Sequence, residues 1–140
     1  MSAGTVGILE LVEVCAAEQA RSMSLFERVG GWVASTSNPE LQRLFATAAH
    51  RHAWHAELWA GRAPTIPVAA VPADVAAIAD ATGDVDRWTA YVTALGLLDT
   101  DLTALAHRVD PDLDPSTARV LSLVTTDVHA LAAQLVDLGV

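Results

Sequence analysis

Apolar residues recur every three or four positions along the chain, which is the spacing that places side chains on one face of an α-helix. Four segments carry this pattern and are predicted helices, near 5–35, 39–61, 84–109 and 115–138. Asn38 and Asp114 each precede a proline, an arrangement typical of the first residues of a helix. No segment alternates with a period of two, so no β-strand is predicted.

The intervals between these segments differ in length, and this difference predicts how the helices are arranged. The first and second helices are separated by a short turn, as are the third and fourth. The interval 64–82 contains three prolines and no long periodic run, so it is predicted to be a connection, with a short helix near 72–81. The predicted fold is therefore a single all-α domain over 1–140, a four-helix bundle of two helical hairpins joined by a long crossover.

Charge narrows the range of partners. The chain has 140 residues, one cysteine and a formal net charge of −9. This negative charge argues against nucleic acid and anionic membranes as partners, because both attract positive surfaces. No apolar run is long enough to span a bilayer, and the N-terminal segment carries Glu10 and Glu13 instead of positive residues. The sequence therefore predicts a soluble, cytoplasmic protein.

Several polar residues fall on helix faces that should be apolar. On the second helix, His52 and His55 share the inward face with leucine and aromatic residues, whereas His50 points outward. Glu18 lies on the flank of the apolar face of the first helix, and Asp99 lies among apolar residues on the third. A charge buried without a partner costs several kcal/mol. These side chains therefore need one another, water or a metal ion as partners.

The spacing His52-x-x-His55 places two imidazoles one helical turn apart, where both can bind one divalent transition metal. Folding the hairpin back about residues 36–38 places Glu18 level with His55 and adds a carboxylate. The predicted metal ligands are therefore Glu18, His52, His55 and Asp99. The alternative is a polar core in which each histidine has a hydrogen bond and no metal is bound.

Three further polar residues have roles that the sequence leaves open. Tyr91 lies on the apolar face of the third helix. Asp127 lies at the edge of the apolar face of the fourth helix, and His129 lies well away from that face. Each of them is a candidate for an additional ligand to the predicted metal.

The segment Asn38–Leu58, which contains His-Arg-His-Ala-Trp-His-Ala-Glu, resembles the second helix of ferritin-like proteins, where a Glu-x-x-His-Ala segment supplies two ligands. In that superfamily a glutamate of the first helix precedes the pair by a distance similar to the 34 residues between Glu18 and His52. The resemblance implies a ferritin-like bundle with iron and oxygen chemistry.

The chain also departs from that pattern. His52 stands where the family has glutamate, and no glutamate follows Glu57. The resemblance therefore implies a mononuclear site that holds iron, or alternatively zinc, manganese or copper, in an oxidase or hydroxylase of an unidentified small-molecule substrate. The alternative is a non-catalytic bundle that has lost its metal and serves in binding or assembly.

Trp54 points away from the inward face of the second helix, alongside Thr47 and Leu58. A large aromatic side chain is costly to leave in water. Two explanations stay open at this point. Either this face is the contact of a homodimer, or the crossover 64–82 covers it.

Overall fold

The computed structural model describes residues 4, 5, 7–62, 75, 76 and 78–140 and contains four long α-helices. These are α1 (Ile8–Trp32), α2 (Pro39–Ala60), α3 (Gly83–Ala106) and α4 (Pro115–Leu138). No β-strand occurs in these residues, which confirms the predicted all-α class. None of the described helices combines the length and apolarity needed to cross a membrane.

The helix boundaries agree closely with the periodicity. Helices α2 and α4 occupy their predicted segments, whereas α1 begins later than predicted and ends in a 3-10 turn at Val33–Ser35. Helix α3 ends at Ala106 instead of 109. Most of the predicted connection lies outside the described residues, as do residues 72–74 and 77 of its short helix, whereas residues 75 and 76 are helical. Its described end contains a 3-10 turn at Ile78–Asp80.

Side-chain caps explain why α2 and α4 begin where they do. The Asn38 side-chain oxygen accepts hydrogen bonds from the backbone N–H groups of Glu40 and Leu41 at 2.9 and 3.1 Å. The Asp114 carboxylate accepts one from the N–H of Thr117 at 3.1 Å. A proline occupies the first helical position in both cases, where its missing N–H removes no hydrogen bond. Both predicted helix starts are confirmed.

Contacts near the helix ends show the direction of each helix. Arg108, just beyond α3, bonds Glu10 at the start of α1, so α1 and α3 are antiparallel. Arg62, just after α2, bonds Asp114 at the start of α4. The two hairpins therefore place α2 and α3 in the same direction. As a result, the connection from the end of α2 to the start of α3 joins opposite ends of the bundle.

The core consists of apolar side chains from all four helices. Its buried members include Leu25, Val29, Leu41, Phe45, Trp59, Leu95, Leu102, Val124, Val128, Leu131 and Leu135. Helix periodicity places Ile8 on the apolar face of α1 and Arg21 on the opposite, polar face, and the structure differs at both positions. Arg21, predicted on the polar face, is buried because it forms ion pairs with Glu18 and Asp101. Ile8, predicted on the apolar face, is 82% exposed, because its turn projects beyond the last turn of α3.

The start of α3 holds the turn between α1 and α2 through one carboxylate. Asp84 accepts hydrogen bonds from the backbone N–H groups of Ser37 and Asn38 at 3.0 and 2.8 Å. Asp84→Ala should lower the free energy of unfolding by about 1 to 2 kcal/mol, because two amides lose a charged acceptor. Asp86→Ala is the matched control, since Asp86 lies in the same first turn but is exposed. Urea denaturation measures both, and equal losses would contradict a specific role for Asp84.

Candidate functional site: a buried histidine pair

Helix α2 carries two histidines on its buried face. His52 and His55 are both 0% exposed, and their ring centroids lie 5.6 Å apart with the ring planes nearly perpendicular. The three-residue spacing places them on neighbouring turns of the same face. His50, two residues before His52 and five before His55, is exposed. The predicted orientation of all three histidines is confirmed.

His52 has a partner on α3. Its Nε2 atom lies 2.6 Å from the hydroxyl oxygen of Tyr91, which is also fully buried. Burial raises the pKa of the Tyr91 phenol far above its usual range, so this group stays protonated. The Tyr91 ring packs edge-on against Phe45 at a centroid distance of 6.0 Å. This ring contact supports the position of the phenol in the core.

His55 has a partner on α4. Its Nε2 atom lies 2.8 Å from a carboxylate oxygen of Asp127, whose side chain is 17% exposed. The other carboxylate oxygen lies 3.9 Å from a guanidinium nitrogen of Arg51. The Asp127 carboxylate therefore connects the buried imidazole to the edge of the bundle.

Both imidazoles are neutral at pH 7. Burial lowers the pKa of His52 to about 3, and the neighbouring His55 adds to this effect. Burial also lowers the pKa of His55, although its hydrogen bond to Asp127 partly opposes the shift. A neutral imidazole has one nitrogen with a free lone pair, which is the form that binds a metal.

The second ring nitrogen of each histidine is buried without a hydrogen bond. Nδ1 of His52 and Nδ1 of His55 have no partner among the described residues. For His55 the tautomer follows from its neighbour, because an ionised carboxylate only accepts hydrogen bonds. Nε2 therefore carries the proton and Nδ1 carries the lone pair. Unsatisfied buried polar atoms are rare in folded proteins and point to water or an ion.

Glu18 lies farther from this pair than predicted. Gly30 approaches Ala49, and the Trp32 ring contacts Phe45 at a centroid distance of 5.2 Å. Continuing this antiparallel register places Glu18 level with residues 59–61, about 6 to 9 Å along the axis beyond His55. The expectation that Glu18 is level with His55 is therefore wrong.

The register of α1 against α2 differs from the one expected for a turn at residues 36–38, because the first turn of α2 projects beyond the end of α1. Gln42, rather than Pro39, is the residue that meets Val33, and its side-chain amide donates to the Val33 carbonyl at 2.7 Å. Glu18 instead lines a groove between α1 and α3, and its carboxylate lies 3.5 Å from Arg21.

Asp99 and His129 pair with each other on the outside of the α3–α4 hairpin. Their side chains are 39% and 62% exposed and are joined at 2.8 Å. In the part of the chain that the structure describes, no three His, Cys, Asp or Glu side chains lie close enough together to hold a metal ion. The structure thus brings His52 and His55 together, while Glu18 and Asp99 as further ligands stay predictions.

The hydrogen-bond partners of the two histidines became evident only in the fold. Asp127 and Tyr91 were candidates for metal ligands, but each instead bonds the Nε2 atom of one histidine. Their positions at the edge and centre of apolar helix faces were the available sequence signal. The choice of partner depends on which helices face each other, and periodicity does not contain that information.

Trp54 is half-buried and its ring lies 6.0 Å from that of His55. It lines a small surface hollow together with His50 and Arg51. The homodimer through this face stays a prediction, and the crossover that could cover it lies mostly outside the described residues.

Comparisons with known proteins return no match: no protein-family model, no curated protein and no solved structure is similar to this chain at a significant level. The function is therefore argued from the histidine pair itself.

Proposed function

We propose that this bundle binds one divalent transition-metal ion through Nδ1 of His52 and Nδ1 of His55. The observation that carries the proposal is that these two buried nitrogens have no hydrogen-bond partner in the described residues. Metal-bound histidines commonly donate their other N–H to a carboxylate or another oxygen. Asp127 and Tyr91 offer oxygen atoms at these positions, 2.8 and 2.6 Å from the two Nε2 atoms.

The spacing of the rings also supports a shared ion. Two imidazoles on one tetrahedral ion, with metal–nitrogen bonds of about 2.1 Å, have ring centroids roughly 5 to 5.5 Å apart. The His52 and His55 centroids are 5.6 Å apart, which is close to this range. Imidazole nitrogens suit zinc, copper and iron, whereas manganese prefers oxygen ligands. Bound there, such an ion would supply Lewis-acid chemistry, or redox chemistry if it is copper or iron.

The oxidase or hydroxylase activity suggested by the ferritin-like resemblance depends on a carboxylate that completes the site. Because Glu18 lies at least one turn beyond His55, we propose ion binding and no particular reaction. The alternative function is a bundle whose histidines are only polar core residues and whose role is binding or assembly. The hydrogen bonds to Tyr91 and Asp127 are compatible with that alternative as well.

Isothermal titration with Zn²⁺ and Cu²⁺ on untagged protein tests the proposal. We expect one ion per chain, and His52→Ala or His55→Ala should weaken binding at least tenfold by removing one of two ligands. His50→Ala is the matched control, because this exposed histidine lies on the same helix, two residues before His52 and five before His55. Glu18→Gln then decides whether the carboxylate predicted from the sequence also reaches the ion.

Two results would favour the alternative function. One is that the unaltered protein takes up neither ion. The other is that the ion remains bound after both His52 and His55 are replaced.

A further inference from the structure

The two histidines have partners of different chemistry, and this difference bears on how the proposed ion is bound. Asp127 presents an ionised carboxylate, which can only accept a hydrogen bond. Tyr91 presents a hydroxyl, which can donate as well as accept. The effect on ion binding rests on the proposed function, whereas the tautomers of the two histidines are a property of the metal-free protein.

His52 and Tyr91 can share a proton in two ways. Either the phenol donates to Nε2 and the proton of the neutral ring is on Nδ1, or Nε2–H donates to the phenol oxygen and Nδ1 carries a lone pair. Each arrangement leaves one buried N–H or O–H without an acceptor among the described residues. The phenol is the more acidic donor and the imidazole nitrogen the more basic acceptor, so donation by Tyr91 is the stronger bond. The separation of 2.6 Å is typical of a hydroxyl donor.

We propose that Asp127 and Tyr91 are positioning residues that hold the two imidazoles in opposite tautomers before the ion binds. Asp127 keeps the proton of His55 on Nε2, so its Nδ1 lone pair is always available. Tyr91 keeps the proton of His52 on Nδ1, which blocks that atom as a ligand. His55 is therefore the primary anchor, and His52 joins only when its hydrogen bond to Tyr91 reverses.

The reversal conserves protons. Before binding, one proton is on His52 Nδ1 and one is on the Tyr91 oxygen. Afterwards one is on His52 Nε2 and one is still on the Tyr91 oxygen, while Nδ1 bonds the ion. The phenol O–H then has no acceptor among the described residues. Tyr91 therefore makes the free energy of ion binding less favourable by about the net free energy of one hydrogen bond.

Opposite effects of two substitutions follow. Tyr91→Phe removes the group that blocks His52 Nδ1, so we expect Zn²⁺ to bind roughly threefold to tenfold more tightly. Asp127→Ala removes the acceptor that fixes His55, and we expect binding to weaken roughly tenfold to a hundredfold. Asp127→Asn offers a neutral acceptor of the same size and should recover part of that loss. Asp137→Ala, an exposed carboxylate on the same helix, is the matched control and should change nothing.

Nitrogen-15 NMR of histidine-labelled protein reads the tautomers directly. Without metal we expect His55 with its proton on Nε2 and His52 with its proton on Nδ1. Addition of Zn²⁺ should move the His52 proton to Nε2. Identical tautomers in the metal-free protein, or weaker Zn²⁺ binding by Tyr91→Phe, would overturn the inference even if Zn²⁺ binds. Opposite tautomers without any Zn²⁺ binding would instead keep the tautomer assignment and overturn the proposed function.

Discussion

Lowering the pH from about 7 to about 4.5 is expected to remove several kcal/mol from the free energy of unfolding, because two buried histidines stay neutral in the folded protein. The ordinary pKa of histidine is 6.5, whereas burial lowers that of His52 to about 3 and also lowers that of His55. Below pH 6.5 the unfolded chain therefore binds protons that the folded chain excludes. Stability is present above the unfolded pKa and is lost as the pH falls below it.

The slope of this loss is about 1.4 kcal/mol per pH unit for each fully excluded proton. For His52 the loss continues from pH 6.5 down to about 3. Chemical denaturation at a series of pH values measures this loss. The carboxylates add the same pH dependence to the protein and to its variants, so their contribution cancels in the comparison. His52→Gln should reduce the slope by the amount that one excluded proton contributes. His50→Gln, at an exposed position, should leave the slope unchanged. Parallel curves for the unaltered protein and His52→Gln would contradict the neutral, buried state of His52.

Phe45→Ala is expected to cost about 3 to 5 kcal/mol of unfolding free energy, the usual loss for a fully buried aromatic ring. Phe45 is 0% exposed and contacts Trp32 and Tyr91 with ring centroids 5.2 and 6.0 Å away. It thus joins the α1–α2 hairpin to the tyrosine that bonds His52. Such a loss is a large share of the 5 to 15 kcal/mol typical of a domain. Differential scanning calorimetry or urea denaturation measures it.

The chain contains its own control for this experiment. Phe26, the only other phenylalanine, is 38% exposed on α1, so Phe26→Ala should cost less than about 1 kcal/mol. Phe45→Leu is the milder variant if Phe45→Ala does not fold, with an expected cost between those two values. Equal losses at Phe45 and Phe26 would show that the burial and ring contacts of Phe45 contribute no more to stability than a partly exposed phenyl group does.

These two experiments also bear on the histidine pair. The pH series measures how strongly the core excludes the protonated imidazole, which is a property of the metal-free protein. The Phe45 variants loosen the packing behind Tyr91 without removing any polar group of the pair. A change in Zn²⁺ affinity in Phe45→Leu would therefore show that the position of Tyr91 affects the proposed site.

Much of this architecture follows from the amino-acid sequence alone, because local interactions determine it. Helix periodicity reports which face of a helix is apolar, and it placed His52 and His55 inside and His50 outside. Asn38-Pro39 and Asp114-Pro115 cap their helices through hydrogen bonds that span only a few residues. Turn lengths then separate the two hairpins from the long connection. None of these features depends on residues distant in the chain.

Only the tertiary structure decided which polar groups meet. The register of α1 against α2 depends on how the turn packs, and a displacement of one turn carries Glu18 away from the histidines. Periodicity cannot tell a polar residue on the surface from one buried by a partner, so it places Arg21 on the polar face of α1 although Glu18 and Asp101 hold it inside. The pairing of His52 with Tyr91 and of His55 with Asp127 joins residues 39 and 72 positions apart. Such pairs are set by the packing of whole helices, and so is the tautomer of each histidine.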